Sequence, residues 1–265
     1  MSYEFYIMLT IAVVGAGVWI FKKAKRAVAM ARKIRRAYRS VYLNPHSTLD
    51  AEQCKMLAVG ALYAAQQGAY QNSLETGIRD ELSEILGNWW GIENHDDAVE
   101  ELDYLAGKGF RYYFPFVWEA FLLDDPQQQD RVFQQNMTSQ EDYDKVTSQL
   151  HNLQETYDEL ITCGVIASKA DIQRYGVVGW DAGRVCFLAR ACFEMGYLTE
   201  NEAWHYIEEA YRLVREHFSS WNDLAMSYIL GRSMWGGKRA YNSVLKGKAD
   251  TLLTDTKSPW MQYPL

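Results

Sequence analysis

Apolar residues recur at intervals of three and four along most of the chain, and polar start signals and glycine stops cut that pattern into helices. From Asp50 to Gln67, Met56, Val59, Leu62 and Tyr63 share one face, and Gly68 follows as a stop. A second helix is predicted over Glu75 to Trp90, where Ile78, Leu82, Ile85 and Leu86 keep helical spacing. Asn94 with Asp97 caps a third that ends at Gly107. Ser139 with Asp142 opens a long polar helix to about Ile161, and Ser168 with Asp171 opens a short one. The aromatic stretch Phe110 to Phe121 contains Pro115 and alternates poorly, which fits an extended segment or a kinked helix. Strand signals are scarce, so the pattern predicts an all-α fold.

The clearest punctuation lies between Gly179 and Trp235, which reads as three helices. The apolar stretch Val185 to Met195 stops at Gly196, Thr199 with Glu202 forms a capping box, and Ser220 with Asp223 repeats the start signal. The first helix places Trp180, Gly183, Arg184, Phe187 and Ala191 on one face; the third places Leu224, Tyr228, Gly231, Arg232 and Trp235. Glycine inside a helix costs about 1 kcal/mol against alanine, so Gly183 and Gly231 call for close helix contact. Asp181 is the only acid in residues 176–193, which predicts a cluster of Asp181, Arg184 and Arg232. One reading is a buried network that fixes helix register. The other is an anion or ligand pocket, because two arginines to one aspartate leave a spare positive charge. Trp180, Trp204, Trp221 and Trp235 suit a core, with one or two lining a groove.

These residues carry a resemblance. The segments Trp180-Asp181-x-Gly183-Arg184, Gly196-Tyr197-Leu198, Ala203-Trp204, Ser220-Trp221 and Gly231-Arg232-x-x-Trp235 resemble the signature of the bacterial domain-of-unknown-function family numbered 1266. Trp90, Gly91, Ile92, Gly109 and Arg111 are similar to that family's weaker amino-terminal half, so the likeness spans roughly residues 54–235. Phe110 stands where the family pattern suggests a histidine, which counts against a catalytic histidine there. The resemblance implies a helical domain and supplies no reaction.

At the amino terminus, residues 5–21 carry no charge and read as a membrane span. Seventeen residues at ~1.5 Å each give roughly 25 Å, and Tyr3, Tyr6, Trp19, Lys22 and Lys23 extend the span into the headgroup region. A secretory signal peptide is the competing reading, but the only early charge is Glu4 and the run ends at lysines rather than at a cleavage site. Residues 22–49 then hold nine basic side chains and no acid, beginning with Lys22, Lys23, Lys25 and Arg26. That asymmetry predicts an outward amino terminus and a carboxy-terminal domain on the cytoplasmic side of the bacterial inner membrane. Of the chain's 27 basic and 34 acidic residues, residues 50–265 hold 18 and 33. The stem therefore suits anionic lipid headgroups rather than its rival, nucleic acid, because it follows a span and precedes an acidic domain. The expected organisation is residues 1–44 as anchor and basic stem, 45–248 as one helical domain, and 249–265 as a tail.

Candidate chemistry adds little. Cys54, Cys163, Cys186 and Cys192 have no metal-binding spacing, and a cytoplasmic domain keeps them reduced. Glu202-x-x-His205 has the spacing of a di-iron helix but occurs once, with Glu202 already used as a cap. His151 and Glu155 suit a solvated helix face. No nucleophile elbow or phosphate-binding glycine loop occurs, so no catalytic residue, metal or cofactor is expected. Two functions stay open: a non-enzymatic module that binds an unidentified protein partner, or an enzyme or ligand sensor built on an anion pocket around Arg184 and Arg232. A solvent-open pocket there favours the second, a sealed one the first. The topology is tested by fusing a reporter that fluoresces only in the cytoplasm after Leu265: it should light up, whereas a dark fusion that is active as a periplasmic reporter reverses the orientation.

Overall fold

A helix buried on every side belongs in the middle of a domain, and the segment Val178–Met195 behaves so: every residue from 178 to 192 is buried, Asp181, Arg184 and Arg190 included. The computed structural model describes residues 40–265. The predicted span at residues 5–21, and Lys22, Lys23, Lys25 and Arg26, lie outside the described residues. Among those described, no strand occurs and no helix is long and apolar enough to cross a membrane.

The chain forms α1 (Ala51–Leu57), a 3₁₀ turn at Ala58–Gly60, α2 (Ala61–Gln67), α3 (Arg79–Ser83), α4 (His95–Gly107), α5 (Phe114–Phe121), α6 (Pro126–Asn136) and α7 (Gln140–Thr162). It continues through α8 (Lys169–Tyr175), α9 (Val178–Met195), α10 (Glu200–His217), α11 (Trp221–Gly236), α12 (Asn242–Thr254) and α13 (Pro259–Gln262). The predicted caps are in place. Asn94, Ser139 and Ser220 each accept the backbone N–H of the residue three ahead, and Thr199 and Glu202 complete their box. Gly68 and Gly196 end α2 and α9 in left-handed conformations.

The helix expected from Glu75 starts only at Arg79, because α9 captures the loop before it. Arg190 is fully buried and donates to the carbonyls of Tyr70 (2.6 Å), Glu75 (3.1 Å) and Leu74 (3.4 Å). The Thr76 N–H and hydroxyl both donate to Glu194 at 2.6 Å. After α3 the backbone widens into a π-helix over Glu84–Trp89. The stretch that begins at Phe110 makes turns and then α5, with Pro115 in the first helical turn, where its missing N–H leaves nothing unpaired.

The sequence pattern did not reveal α6, opened by Asp125 and Pro126, nor the ordered carboxy-terminal segment. Residues 249–265, expected as a tail, pack onto the domain: Ala249, Leu252 and Trp260 are buried. The Trp260 indole stacks on Trp221 at 5.9 Å and donates to the Ala58 carbonyl at 2.8 Å. At the other end Asn44 bonds Asn72 through its backbone N–H at 2.7 Å, so the compact unit Ser40–Leu265 includes residues ahead of Pro45.

Helix α9 packs against α10, α11 and α4. The α9–α11 contact is backbone-close: a Cβ on Gly179 would lie 2.6 Å from the Leu224 carbonyl, and one on Gly183 would lie 2.8 Å from the Tyr228 ring. On the opposite helix a Cβ on Gly231 would overlap the Cβ of Trp180. Both glycines singled out in the sequence therefore mark this contact. Gly231→Ala is expected to destabilise the domain by about 2 kcal/mol or more, since the obstacle is a side-chain root that cannot swing away; denaturant unfolding measures it, and parental stability would contradict the contact.

Candidate functional site

Asp181 is fully buried on α9, and four donors meet its two oxygens. The backbone N–H groups of Phe110 and Arg111 donate at 2.9 Å each, Arg111 Nη1 donates at 3.1 Å, and Arg184 Nη2 donates to Oδ1. The turn that presents those N–H groups passes through Gly109 at φ 53°, where a Cβ would strike the Asp181 carboxylate. Arg111 also donates to the carbonyls of Leu105, at 2.6 Å, and Ala106, at the end of α4. One carboxylate thus joins α9, the turn after α4 and two guanidinium groups.

The predicted pairing is corrected in one member. Asp181 and Arg184 are paired, but the second arginine is Arg111; Arg232 has no ion pair among the described residues. Arg232 instead lies over the rings of Trp235 (4.5 Å) and Trp180 (5.8 Å), and its buried Nε has no hydrogen-bond partner. The reason is geometric: Arg111 arrives from the turn at Gly109 together with two backbone donors, which an arginine on α11 lacks.

Arg184 is only 4% exposed and sits among aromatic rings, 4.6 Å from Trp180, 5.0 Å from Phe110 and 5.7 Å from Trp90. Its Nε donates to the Trp180 carbonyl at 3.3 Å, while Nη1 finds no hydrogen bond among the described residues. It opens onto a pocket of about 380 Å³ lined by Tyr63, Gln66, Gln67, Trp89, Trp90, Trp180, Arg184, Arg232 and Trp235. Charge in this wall is all positive, and the Asp181 carboxylate behind it is shared with Arg111, so the pocket carries a surplus of positive charge. None of the nine lining residues has a carboxylate, imidazole, thiol or aliphatic hydroxyl.

Two polar groups of the wall, those of Tyr63 and Gln66, are held in place. Tyr63 stacks on Phe187 at 4.4 Å and accepts the Trp90 indole N–H at 3.2 Å. Tyr228, fully buried, donates its hydroxyl to the Gln66 side-chain oxygen, which leaves the Gln66 amide nitrogen as a donor. Burial raises the pKa of both phenols, so they stay neutral. Trp90 also borders a second depression of about 370 Å³ whose charges are Asp97, Glu100, Glu101, Glu141 and Lys145. Burial raises the pKa of Glu101, against the opposing pull of Arg184. The two depressions differ in sign, and only the first suits an anion.

The signature residues divide accordingly. Trp180, Arg184, Arg232 and Trp235 line the pocket; Asp181, Gly183 and Gly231 set its frame. Trp204 and Trp221 lie elsewhere: Trp221 donates to the Tyr263 carbonyl at 2.8 Å, and Trp204 has a buried indole N–H with no partner. The sequence marks Tyr63 only as a helix-face residue and does not single out Gln66, Gln67 and Trp89, although the doubled Gln66-Gln67 before the stop at Gly68 and the doubled Trp89-Trp90 are visible signals. Glu202 belongs to no group of potential metal ligands among the described residues; it accepts from the Thr199 N–H and hydroxyl and lies 2.9 Å from His95 Nε2, with no bond to His205. The His95 bond, followed by the Thr199 N–H and hydroxyl, lowers the Glu202 pKa to about 2, and Glu202 in turn raises that of His95.

Fold and site define an all-α domain with an aromatic, arginine-lined pocket at the contact of its central helices. The chain belongs to the family described as Protein of unknown function (DUF1266), whose model matches residues 85–265. No curated protein and no solved structure matches the chain. Tyr63, Gln66 and Gln67 precede the matched segment, so part of the pocket wall is supplied from outside it.

Removing Asp181 strands two arginines. Asp181→Ala is expected to destabilise the protein by roughly 3 kcal/mol or more. Adding Arg184→Met should recover part of the loss, and adding Arg232→Met should recover none. Denaturant unfolding of the four proteins decides, and equal rescue by both arginine changes would contradict the assignment.

Proposed function

We propose that this chain is a membrane-anchored helical domain that binds a small organic anion in the pocket between Arg184 and Arg232. The observation that carries the reading is that Arg184 Nη1 and the Arg232 guanidinium lack a hydrogen-bond partner among the described residues, and both residues line a pocket of about 380 Å³. Arginine forks in a partly desolvated wall favour anions strongly. A wall without a general base or nucleophile supports a sensor or carrier in preference to an enzyme.

Residues 5–21 supply the anchor in this reading, and Lys22, Lys23, Lys25 and Arg26 meet anionic headgroups at the cytoplasmic face of the inner membrane. Nucleic acid is not an expected partner of so acidic a domain. A second reading, a protein-interaction module, is favoured by Trp89 and Trp235, exposed by 56% and 54% at the same pocket. A partner protein would place an acidic side chain between them.

Four of the lining residues are tryptophans, so binding is followed by their fluorescence in the detergent-solubilised full chain. Sodium phosphate should give a saturable change that sodium chloride at equal ionic strength does not. Arg232→Met should weaken it by about tenfold or more, as expected for losing a charge-assisted pair, with an unchanged melting temperature. A response to both salts alike would contradict the anion pocket.

A further inference from the structure

Most of the rings in the pocket already have partners. Trp180 holds Arg184 and Arg232 at its faces and meets the Tyr228 ring edge-on at 5.0 Å. Trp90 borders Arg184 and is hydrogen-bonded to Tyr63, which itself stacks on Phe187. Trp235 carries Arg232 at 4.5 Å. Trp89 is different: it makes no ring or cation contact among the described residues and is more than half exposed, yet it lines the same pocket. Its place is set by the π-helical segment Glu84–Trp89, a widened turn of the kind that recurs at functional sites.

The free donors are equally particular. They include Arg184 Nη1 and the Trp180 indole N–H on α9, the Arg232 guanidinium on α11 and the Gln66 amide on α2, so residues of three helices bring donors to one pocket wall. A carboxylate has two oxygens and is satisfied by one arginine fork, whereas a phosphoryl group presents three oxygens and close to two negative charges. Donors on three helices, with Arg232 unpaired and Arg184 sharing the single Asp181 charge with Arg111, match the latter. The volume is near the lower end of the ~300–1,000 Å³ range of ligand sites, which suits one ring with its phosphoryl group rather than a dinucleotide.

We propose that the ligand is a phosphorylated compound bearing a planar ring, of mononucleotide size, with its phosphoryl group between Arg184 and Arg232 and its ring stacked on Trp89. This rests on the anion-pocket reading and adds to it the ring and the phosphoryl group.

The test is calorimetric titration of the detergent-solubilised full chain with the four common ribonucleoside 5′-monophosphates, inorganic phosphate, adenosine and benzoate. At least one nucleotide should bind about tenfold or more tightly than inorganic phosphate and than adenosine, the ratio that one aromatic stack supplies. Trp89→Ala should remove about tenfold of that nucleotide affinity and leave inorganic phosphate binding within about twofold, because only the ring contact is lost. Trp89 is exposed, so its removal should leave the melting temperature unchanged. Nucleotides that bind no more tightly than inorganic phosphate overturn the ring assignment while the anion pocket stands. Benzoate binding more tightly than every nucleotide overturns the phosphoryl assignment. Silence toward phosphate and nucleotides alike overturns this proposal and the pocket reading together.

Discussion

A carboxylate taken wholly out of water must be neutralised and have its lone pairs met, and in this domain both demands fall on Asp181. Two backbone N–H groups and two guanidinium groups satisfy it. The consequence reaches further than local stability. The same bonds fix the turn after α4, hold Arg111 against the last carbonyls of that helix, and set the side chain of Arg184 so that one nitrogen is left over. Arginine in a ring of aromatics would otherwise have several rotamers of similar energy. With Nη2 committed to Asp181 and Nε to a carbonyl, Nη1 has one direction left.

Close packing does the rest of the positioning. Gly179 and Gly183 let α11 come against the backbone of α9, and Gly231 returns the accommodation to Trp180. The two helices that carry the arginines are therefore nearer than ordinary side chains permit. Trp180 is wedged at the contact, with a guanidinium from each helix over its ring. Close helix contact and paired side chains hold the inner wall of the pocket, and the π-helical segment brings Trp89 to its outer edge.

Much of this was legible in the chain because capping is a local code. Asn94, Ser139, Ser168, Thr199 and Ser220 announce helix starts that the structure contains, and Gly68 and Gly196 announce ends. The central pair of glycines and the pairing of Asp181 with Arg184 were also readable, being one helical turn or one helix contact apart. Long-range choices were not. Nothing between residues 111 and 181 says that their side chains meet, whereas the helix contact called for by Gly183 and Gly231 points to Arg232. The late start of α3 was hidden for the same reason: Arg190 and Glu194 restrain the loop before it from more than a hundred positions away. The order of the last seventeen residues depends on Trp260 finding Trp221 and Ala58, again a tertiary event.

The arginines divide by their partners: Arg184 and Arg232 line a pocket and keep donors free, whereas exposed Arg212 is already shared between Glu209 and Glu216. Nuclear magnetic resonance of the protein labelled with ¹⁵N in its arginine side chains reads that division directly. On addition of phosphate, the account predicts saturable shifts of the Arg184 and Arg232 guanidinium signals at one common concentration, with the Arg212 signal unmoved. Signals from Arg184 and Arg232 that stay still, or that drift together with Arg212 without saturating, would contradict it.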